Sequence, residues 1–534
     1  MRRWNGWGDD ATSMELNAGA VTMLQDRLGP GHPGADALRA DLLKQLPPSR
    51  LPKHPLIRRD ADSRFTMALG ESYADWIRKR FGAVPAVPDG VASVSSQQQV
   101  RELLDLAHAN DWVVIPFAGG TSVAGHLDCP LGARPILSIH LGQLNQLQHL
   151  DKPSQLATFG AGTPGPLVEA QLRAHGYTLG HFPQSFEYST VGGWVVTRSS
   201  GQQSMRYGRI EQLFAGGRME TPVGTLVLPT IPAASAGPDL RELVLGSEGR
   251  FGILTEATLR VTPLPEHESF HAIFLPSWEV AEEAVRTLVQ RKLPLSMMRL
   301  SNAVETQTNL VLAGHALLIG GLQKYLALRG CRDGMCCMLM LGITADKATA
   351  HHALREARRT LAGFGAVYVG VAMGSRWATN RFKGPYLRNT LWDAGYSADT
   401  IETAVDWPNV TPLMQAMEQS ARDVFSQYGE RVHAFTHLSH LYPQGSSIYS
   451  QYVWPTAPGG FAPNFERWQK LKAAVAATIA AHGGTVSHQH GVGRDHAAHL
   501  HVEKGPLGMA TLAGLCSHFD PKKIMNPGKL LQDA

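Results

Sequence analysis

One stretch constrains this chain more than any other, running from Gly180 to Gly208 as GHFPQSFEYSTVGGWVVTRSSGQQSMRYG. It is dense in glycine, serine and threonine, yet apolar and aromatic residues recur between them. This composition supplies many backbone N–H groups and small hydroxyls with little side-chain bulk, because glycine lets a ligand approach the backbone closely. The stretch therefore predicts a cradle for a flat ligand.

Two flanking segments share this character. The apolar run Val113–Pro116 leads into the AGGTS sequence of Ala118–Ser122, and Gly246, Gly249 and Gly252 interrupt an alternating strand pattern further on. A glycine-rich turn straight after a buried strand lets backbone amides approach a pyrophosphate. Each segment alone fits a tight turn in an ordinary β-rich domain equally well. Three of them in chain order favour a dinucleotide-binding domain.

The hydrophobic pattern changes at about residues 89 and 266, which separates a first region, 1–88, a second, 89–265, and a third that begins at 266. The first is mainly helical: RADLLKQL (Arg39–Leu46) and SYADWIRKRFG (Ser72–Gly82) have helical spacing, and nothing in this region suggests chemistry. The second begins with strand, serine-capped helix and buried strand, and short strands follow. The third repeats strand then helix, which predicts a sheet covered by helices on one face.

The apolar segment Asn309–Leu328, NLVLAGHALLIGGLQKYLAL, is open to two interpretations. A helix that is apolar over most of its circumference is usually buried. The alternative is a wall of a tunnel for a long acyl or alkyl chain. A further long helix is predicted at Phe465–Gly484, closed by its two glycines.

Composition and charge exclude several classes of protein. The net charge is +4 without a block of like charges, which gives no argument for a nucleic-acid partner. The five cysteines show no paired spacing, as expected of reduced thiols in a cytosolic protein. The start MRRWNGWGDD lacks the apolar core of a signal peptide, and no run of about 18 apolar residues predicts a membrane span. We expect a cytoplasmic protein.

Three motifs strengthen the interpretation of the glycine-rich segments: WNGWG at Trp4–Gly8, STVGGWV at Ser189–Val195 and HQHGVGRDH at His488–His496. Together with those segments they resemble the alkylglycerone-phosphate synthase (alkyl-dihydroxyacetonephosphate synthase) family and its bacterial members, within the vanillyl-alcohol-oxidase type of FAD-binding flavoproteins. The resemblance implies an α+β fold with a two-lobed, PCMH-type FAD-binding domain at 89–265. It also implies an α+β cap at 266–480 for the substrate and a C-terminal segment, 481–534, that returns to the FAD domain.

The resemblance also implies which residues hold FAD. Ala118 stands where the family commonly has a third glycine, and Arg250 where threonine is usual, so that Arg250 either adds charge near the pyrophosphate or points to solvent. Thr121 occupies the place where covalently flavinylated members often carry histidine, which implies noncovalent FAD; linkage through nearby His126 is not expected. The implied cofactor-binding residues are Pro116, Phe117, Ala118, Gly119, Gly120, Thr121, Ser122, Gln184, Ser185, Ser189, Thr190, Gly193, Thr197, Ser200, Glu248, Gly252 and Ile253.

The resemblance carries over a set of catalytic positions in the same way. Arginine's planar fork suits a phosphate or a departing carboxylate. A tyrosine that acts as a base near pH 7 needs its pKa depressed by roughly 3 units, and neighbouring cations shift it in that direction. The implied catalytic residues are Arg299, Arg388, Tyr449, His490, His181 and His488, with Thr400 as a substrate contact in place of a family serine.

His437 and His440, in THLSHLYP, form a further candidate cluster. With His488 or His490 they could bind a divalent metal, but no acidic residue lies in that stretch. Substrate-contacting or hydrogen-bonded histidines are favoured, and we predict no metal. Gln489 and Ser447 depart from the family's histidine and cysteine on the substrate side.

The implied function is exchange of the acyl group of acyl-dihydroxyacetone phosphate for a fatty alcohol in ether lipid synthesis, through an adduct at flavin N5. The alternative is an FAD-dependent oxidase or dehydrogenase of a 2-hydroxy acid or alcohol, in which the arginines hold a carboxylate. The expected partners are a lipid-like or organic-acid substrate, the inner face of the membrane as a peripheral contact, and a second copy in a homodimer.

Overall fold

The computed structural model describes residues 1–532. The N-terminal region holds four helices, α1 (Ala18–Leu28), α2 (Arg39–Gln45), α3 (Ala61–Thr66) and α4 (Tyr73–Phe81). The helices predicted at Arg39–Leu46 and Ser72–Gly82 are confirmed as α2 and α4. Ser72 caps α4 through its side chain, and Gly82 ends it with a φ of 69°, a conformation that glycine adopts at little cost.

The first α+β lobe is a parallel sheet of three strands in the order β1-β3-β2. Its elements are β1 (Gly90–Ser93), α5 (Gln97–Asn110), β2 (Val113–Phe117) and β3 (Ile136–His140). The predicted serine cap is present, since the Ser96 side chain accepts a hydrogen bond from Gln99 N. The chain leaves β2 directly into the first glycine-rich loop.

The second lobe is an antiparallel sheet of five strands in the order β4-β5-β9-β7-β8. Its core contains Phe159, Trp194 and Phe214, all buried. The bounds are β4 (Leu147–Asp151), β5 (Leu156–Gly160), α6 (Gly165–Arg173), β6 (Tyr177–Thr178), α7 (Val191–Val196), α8 (Ser204–Tyr207), α9 (Ile210–Leu213), β7 (Phe214–Thr221), β8 (Gly224–Leu228), α10 (Arg241–Val244), β9 (Ile253–Arg260) and β10 (Thr262–Pro263), with β6 paired to β10.

The third region is built on a seven-stranded antiparallel sheet in the order β14-β11-β13-β12-β16-β17-β15. Its strands are β11 (His267–Leu275), β12 (Met297–Ser301), β13 (Cys337–Ala345), β14 (Val367–Gly370), β15 (Tyr396–Asp406), β16 (His433–Leu438) and β17 (Gly445–Pro455). Helices α11 (Trp278–Gln290), α14 (Lys347–Ala362) and α17 (Trp407–Ser426) bury apolar residues in one core with Leu300, Leu339 and Leu341 of the sheet. The sheet covered by helices is therefore confirmed.

Of the two interpretations of Asn309–Leu328, a single buried helix is wrong. The chain forms two helices, α12 (Ala303–Ala313) and α13 (Ala316–Leu328), broken at Gly314 and His315, whose φ values are 70° and 59°. Leu317 is 94% exposed and Leu328 is 87% exposed. Apolar composition did not decide burial, because α13 lies at the molecular surface.

The remaining helices complete the substrate side and the C-terminal segment. They are α15 (Ala372–Asn380), η1 (Gly384–Tyr386), α16 (Leu387–Asp393), α18 (Phe461–Ala481), η2 (Ala497–His499) and α19 (Leu500–Phe519), the last kinked at Gly505. Helix α19 packs on the second lobe, where Phe519 stacks on Phe251, and the chain then returns to the first lobe, where Met525 forms a parallel bridge with Val114.

Candidate active site

A single cavity of about 670 Å³ brings the three glycine-rich segments together. All seventeen residues predicted to hold the cofactor line this cavity, although they come from three separate segments between Pro116 and Ile253. The face of the seven-stranded sheet that bears Arg299, His437 and Tyr449 lines it as well. The cavity therefore joins the two lobes to the substrate region.

Glycine lets the loops that line the cavity pack closely on neighbouring backbone. A Cβ on Gly119 would lie 2.2 Å from the Tyr188 carbonyl oxygen, and one on Gly252 would lie 2.4 Å from that of Glu220, so both sites require glycine. Gly193 lines the cavity, and the buried hydroxyl of Thr190 beside it has no hydrogen-bond partner among the described residues. This cradle of close backbone and unpartnered hydroxyl fits the flat, phosphate-bearing FAD.

His126 and Glu248 tie the cradle to the C-terminal segment. The His126 ring places Nδ1 2.6 Å from Ser122 Oγ and Nε2 3.0 Å from Glu248 Oε2. Glu248 also accepts hydrogen bonds from the backbone N–H groups of Val492 and Gly493. Nδ1 of His126 is thus engaged by Ser122, whereas Nε2 faces the Glu248 carboxylate without forming a hydrogen bond. The absence of a link between His126 and the cofactor stays a prediction.

Arg250 meets neither of its sequence-based expectations. Its side chain is only 2% exposed and donates a hydrogen bond to the Asn526 carbonyl oxygen. It lies outside the cavity wall. Its role in the structure is to fasten the C-terminal segment to the second lobe.

The strand register orders the substrate side of the cavity into rows, since alternate residues of a strand share a face. Where β15, β17 and β16 lie side by side, one row contains Ala398, Val453 and His433, the next contains Thr400, Gln451 and Phe435, and the third contains Glu402, Tyr449 and His437. The wall continues past the first row into apolar side chains of α1, α12 and α16: Ala20, Met23, Leu24, Leu312, Leu387 and Leu391. We call this part the apolar arm.

Arg299 is neutralised by a carboxylate. Its Nη2 donates to Glu305 Oε1 at 2.7 Å, and the same oxygen lies 3.0 Å from His437 Nδ1 and accepts from Gln451 Nε2 at 3.1 Å. Glu305 is fully buried, and the nearby His437 and Arg299 lower its pKa to about 2 against the effect of burial. Glu305 is therefore a carboxylate at neutral pH, and it compensates the charge of Arg299.

Tyr449 has its hydroxyl 3.2 Å from Thr400 Oγ1, and its ring contacts those of His437 and His490. Burial raises its pKa to about 12, with Glu402 acting in the same direction. The expected net depression of this pKa is wrong, because burial outweighs the lowering effects of Thr400 and Arg299. Tyr449 is thus a protonated phenol that can donate a hydrogen bond or a proton. His490 lies in the wall beside it, and burial lowers the pKa of its imidazole.

Arg388 lies on α16 in a different environment. Its guanidinium stacks on Trp76 at 4.3 Å, and Nη1 donates to the Glu71 carbonyl oxygen. Its Nε and Nη2 are buried and have no hydrogen-bond partner within residues 1–532. The N-terminal WNGWG motif holds the neighbouring residue, Asn389, in place. The backbone N–H of Trp7 donates to the Asn389 side chain, and the Trp7 carbonyl oxygen accepts from it.

Two predicted catalytic histidines do not reach the cavity wall. His181 places Nε2 2.9 Å from Ser199 Oγ, packs on Trp194, and has a pKa lowered to about 3 by burial. His488 places Nε2 2.7 Å from the Tyr442 hydroxyl. In each ring Nε2 contacts a protein group, while Nδ1 has no hydrogen-bond partner among the described residues. Their catalytic role stays a prediction.

His440 lines the cavity, with Nδ1 within 3.2 Å of the Ser200 and Ser204 hydroxyls. Over residues 1–532, no three His, Cys, Asp or Glu side chains gather in an arrangement that could hold a metal ion.

Sequence reasoning missed three groups. Glu305 sits in the first turn of α12, after the Asn302 cap, where its only sequence signal is that of an ordinary helix start. Glu402 accepts hydrogen bonds from the backbone N–H groups of His488, Gln489 and His490, and so holds the HQH loop. The N-terminal helix α1, for which no chemistry was expected, forms part of the apolar arm.

Known protein families and relatives match this chain over most of its length. Two family models match, "FAD binding domain" over residues 88–228 and "FAD linked oxidases, C-terminal domain" over residues 264–530. Alkyldihydroxyacetonephosphate synthase of Trypanosoma brucei brucei is 28% identical over 99% of this chain and 92% of its own length. The described chain contains no helix that is long and apolar enough to cross a membrane.

Solved structures agree with these matches. An alkyldihydroxyacetonephosphate synthase structure superposes with a TM-score of 0.84, 26% identity and 98% coverage of both chains. A 4-ethylphenol oxidase from Gulosibacter chungangensis superposes with a TM-score of 0.67 at 12% identity, covering 97% of this chain and 98% of its own. The latter shows the shared fold alone.

Proposed function

This chain belongs to the family of FAD-linked oxidases, and we propose that within it the enzyme exchanges the acyl group of acyl-dihydroxyacetone phosphate for a fatty alcohol. FAD is the cofactor, and the glycine-rich cradle would hold it. The full-length similarity to alkyldihydroxyacetonephosphate synthases supports this substrate class.

One observation carries the proposal: the cavity combines an apolar arm with a buried, incompletely bonded guanidinium. Leu24, Leu312 and Leu391 offer an aliphatic chain a surface that it can cover. Arg388 presents Nε and Nη2 without partners, which is costly in a buried cation unless an anion completes the site. An amphiphile with a long chain and a phosphate group satisfies both features.

The residues around the cradle divide the remaining tasks. Bound FAD supplies the reactive isoalloxazine ring. Arg388 binds the phosphate through its planar fork. Tyr449, protonated at neutral pH, donates a hydrogen bond to the fatty carboxylate as it departs. His490 packs edge-on against Tyr449, and Glu402 fixes its loop from behind.

Anaerobic mixing of the purified enzyme with candidate substrates tests the proposal. We expect acyl-for-alkyl exchange without an external electron acceptor and no lasting bleaching of the flavin. Stable reduced flavin after addition of 2-hydroxy acids, without exchange, would instead establish the oxidoreductase. Acid precipitation of the same preparation should release yellow FAD into the supernatant, as noncovalent binding requires.

A peripheral membrane position follows from the same substrate class. Helix α13 exposes Leu317, Leu318 and Leu328, and the cations Lys324, Arg329 and Arg332 around it are exposed too. It continues from α12, whose Leu312 lines the apolar arm. Exposed leucines beside cations suit an anionic lipid surface.

We also predict a homodimer, which sedimentation velocity can check.

Vesicle binding tests the peripheral membrane position. The double variant Leu317→Asp, Leu318→Asp should bind vesicles with anionic lipid at least tenfold more weakly than the parent, because two apolar side chains no longer leave water. The matched control is Val223→Asp, Val227→Asp, which charges another exposed apolar pair. Equal binding by both double variants would refute α13 as the contact.

A further inference from the structure

We propose that Glu305 and His437 form a carboxylate–imidazole dyad whose free nitrogen, His437 Nε2, accepts the proton of the incoming fatty alcohol. The inference rests on the proposed function, because only that reaction brings an alcohol into the cavity as the nucleophile.

The geometry of the imidazole carries the argument. His437 Nδ1 lies 3.0 Å from Glu305 Oε1 and 3.1 Å from Arg299 Nη2. These two contacts make opposite demands on the proton, since Nδ1 cannot donate to the carboxylate and accept from the guanidinium at once. Arg299 already donates to the same carboxylate oxygen at 2.7 Å. The arrangement with Nδ1–H directed at Glu305 therefore satisfies every group, and Nε2 is left with its lone pair.

The position of Nε2 makes this lone pair usable. His437 lines the cavity, and no described residue forms a hydrogen bond to its Nε2. A carboxylate behind one nitrogen of a histidine selects the tautomer and stabilises the imidazolium that forms when the other nitrogen takes a proton. Burial and Arg299 lower the pKa of His437, so the ring is neutral and able to accept at pH 7.

The dyad also lies where the hydroxyl of a long-chain alcohol belongs. Along β16 the cavity wall passes from His433 through Phe435 to His437, and the apolar arm begins at the His433 row. A chain lying in the arm would reach the third row with its polar end. The same row contains Tyr449, whose protonated phenol cannot serve as the base.

The step balances without a redox partner. The O–H bond of the alcohol breaks and its proton goes to His437 Nε2. The oxygen uses that electron pair to form the new C–O bond to the substrate carbon. The old C–O bond breaks, and the fatty acid leaves as a carboxylate with the bonding pair. Glu305 stays ionised, and His437 returns the proton to solvent.

Two reactions measured separately test the dyad. Exchange of labelled free fatty acid into acyl-dihydroxyacetone phosphate needs no alcohol, whereas alkyl transfer does. His437→Gln should lose at least a hundredfold in alkyl transfer and stay within about threefold in acyl exchange, the usual scale for one base being 10²–10⁴. Glu305→Gln keeps an acceptor but not the charge, and should lose about tenfold in alkyl transfer.

The control is His271→Gln, which alters a buried histidine of the same sheet that bonds Ser269 and Tyr368 outside the cavity. It should leave both rates unchanged. A 2,2-difluoro fatty alcohol, which gives up its proton more readily, should recover part of the loss in His437→Gln; a purely structural defect would not respond to it.

The pH profile of alkyl transfer gives a third readout. The charged or titratable groups facing His437 are Arg299 from β12, Glu305 from α12, Tyr449 from β17 and nearby His440. Activity should fall on the acid side as His437 gains its proton, and this limb should be absent in His437→Gln. Equal losses of exchange and transfer in both dyad variants would overturn the dyad. A parent enzyme that performs neither reaction would refute the proposed function itself.

Discussion

Arg299 and Arg388 line the same cavity, yet their surroundings differ in charge. Arg299 bonds the Glu305 carboxylate, which His437 and Gln451 also contact. Arg388 rests on Trp76, bonds only a backbone carbonyl within the described chain, and keeps two N–H groups unpartnered. A compensated arginine organises its neighbours, whereas an incompletely bonded one attracts an anion. The sequence presents the pair as two equivalent anion sites, and we propose instead that Arg388 is the anion site and Arg299 organises its neighbours.

Removing the charge of Arg388 should give the largest effect. Arg388→Met should lower kcat/KM roughly a thousandfold, ~4 kcal/mol, because a buried phosphate loses its charged partner. The free energy of unfolding should change little, since Arg388 has no salt-bridge partner among the described residues and only the longer-range attraction of Asp399 and Glu71 is lost. Steady-state kinetics and urea unfolding check both statements, with exposed Arg376→Met as the control. If the kinetics of Arg388→Met matched those of the parent, Arg388 would not bind the substrate anion and the proposed difference between the two arginines would be refuted.

Because Glu305 compensates the charge of Arg299, the free energy of unfolding should depend on pH in the acid range. The pKa of Glu305 is about 2 in the folded protein against an ordinary 4.5. A depressed carboxyl pKa stabilises the fold above the unfolded value, and this stability is lost as the pH falls from 4.5 towards 2. Parent and Glu305→Gln should differ by ~3 kcal/mol in free energy of unfolding at pH 7. In urea titrations the gap should close near pH 2; a gap independent of pH would mean that Glu305 is not held as a carboxylate.

Replacement of Tyr449 should reduce turnover by an amount between those expected for Arg388→Met and Arg299→Lys. Tyr449→Phe removes one oxygen at nearly constant volume, so stability should change little. Turnover should fall roughly a hundredfold because the donor is lost. Raising the pH to 9 should not impair the parent through this group, as its pKa is about 12. If activity instead depended on the ionisation of a tyrosine near pH 7, Tyr449 would act as a base, contrary to its raised pKa.

Arg299→Lys should give the smallest effect, and Arg388→Lys provides the direct comparison. Arg299→Lys keeps a cation for Glu305 and should lose about tenfold in kcat/KM, ~1.4 kcal/mol. Arg388→Lys loses the planar fork facing the phosphate and should lose at least ten times more. FAD content, measured from the absorbance of each variant, should stay at the parent level. If the two lysine variants behave alike, both arginines act as anion sites.

Much of the cofactor side was accessible from sequence, because cofactor cradles depend on local backbone. Gly119 and Gly252 sit where no side chain fits, and local sequence records that requirement directly. The substrate side could be predicted less well from the sequence. Helix α13 was expected to be buried from its apolar residues, and the pKa of Tyr449 was expected to fall; neither property is local, since both depend on what packs around the residue.

By itself, the sequence determined the order of helices and strands, the glycine cradle and the residues that a family resemblance could carry over. Tertiary structure decided which charges meet. Glu305 lies 132 positions from His437, and Arg388 lies 317 positions from the carbonyl it bonds. Burial and charge pairing act through space, so the same residue type is paired with a carboxylate at Arg299 and, among the described residues, keeps two unpartnered N–H groups at Arg388.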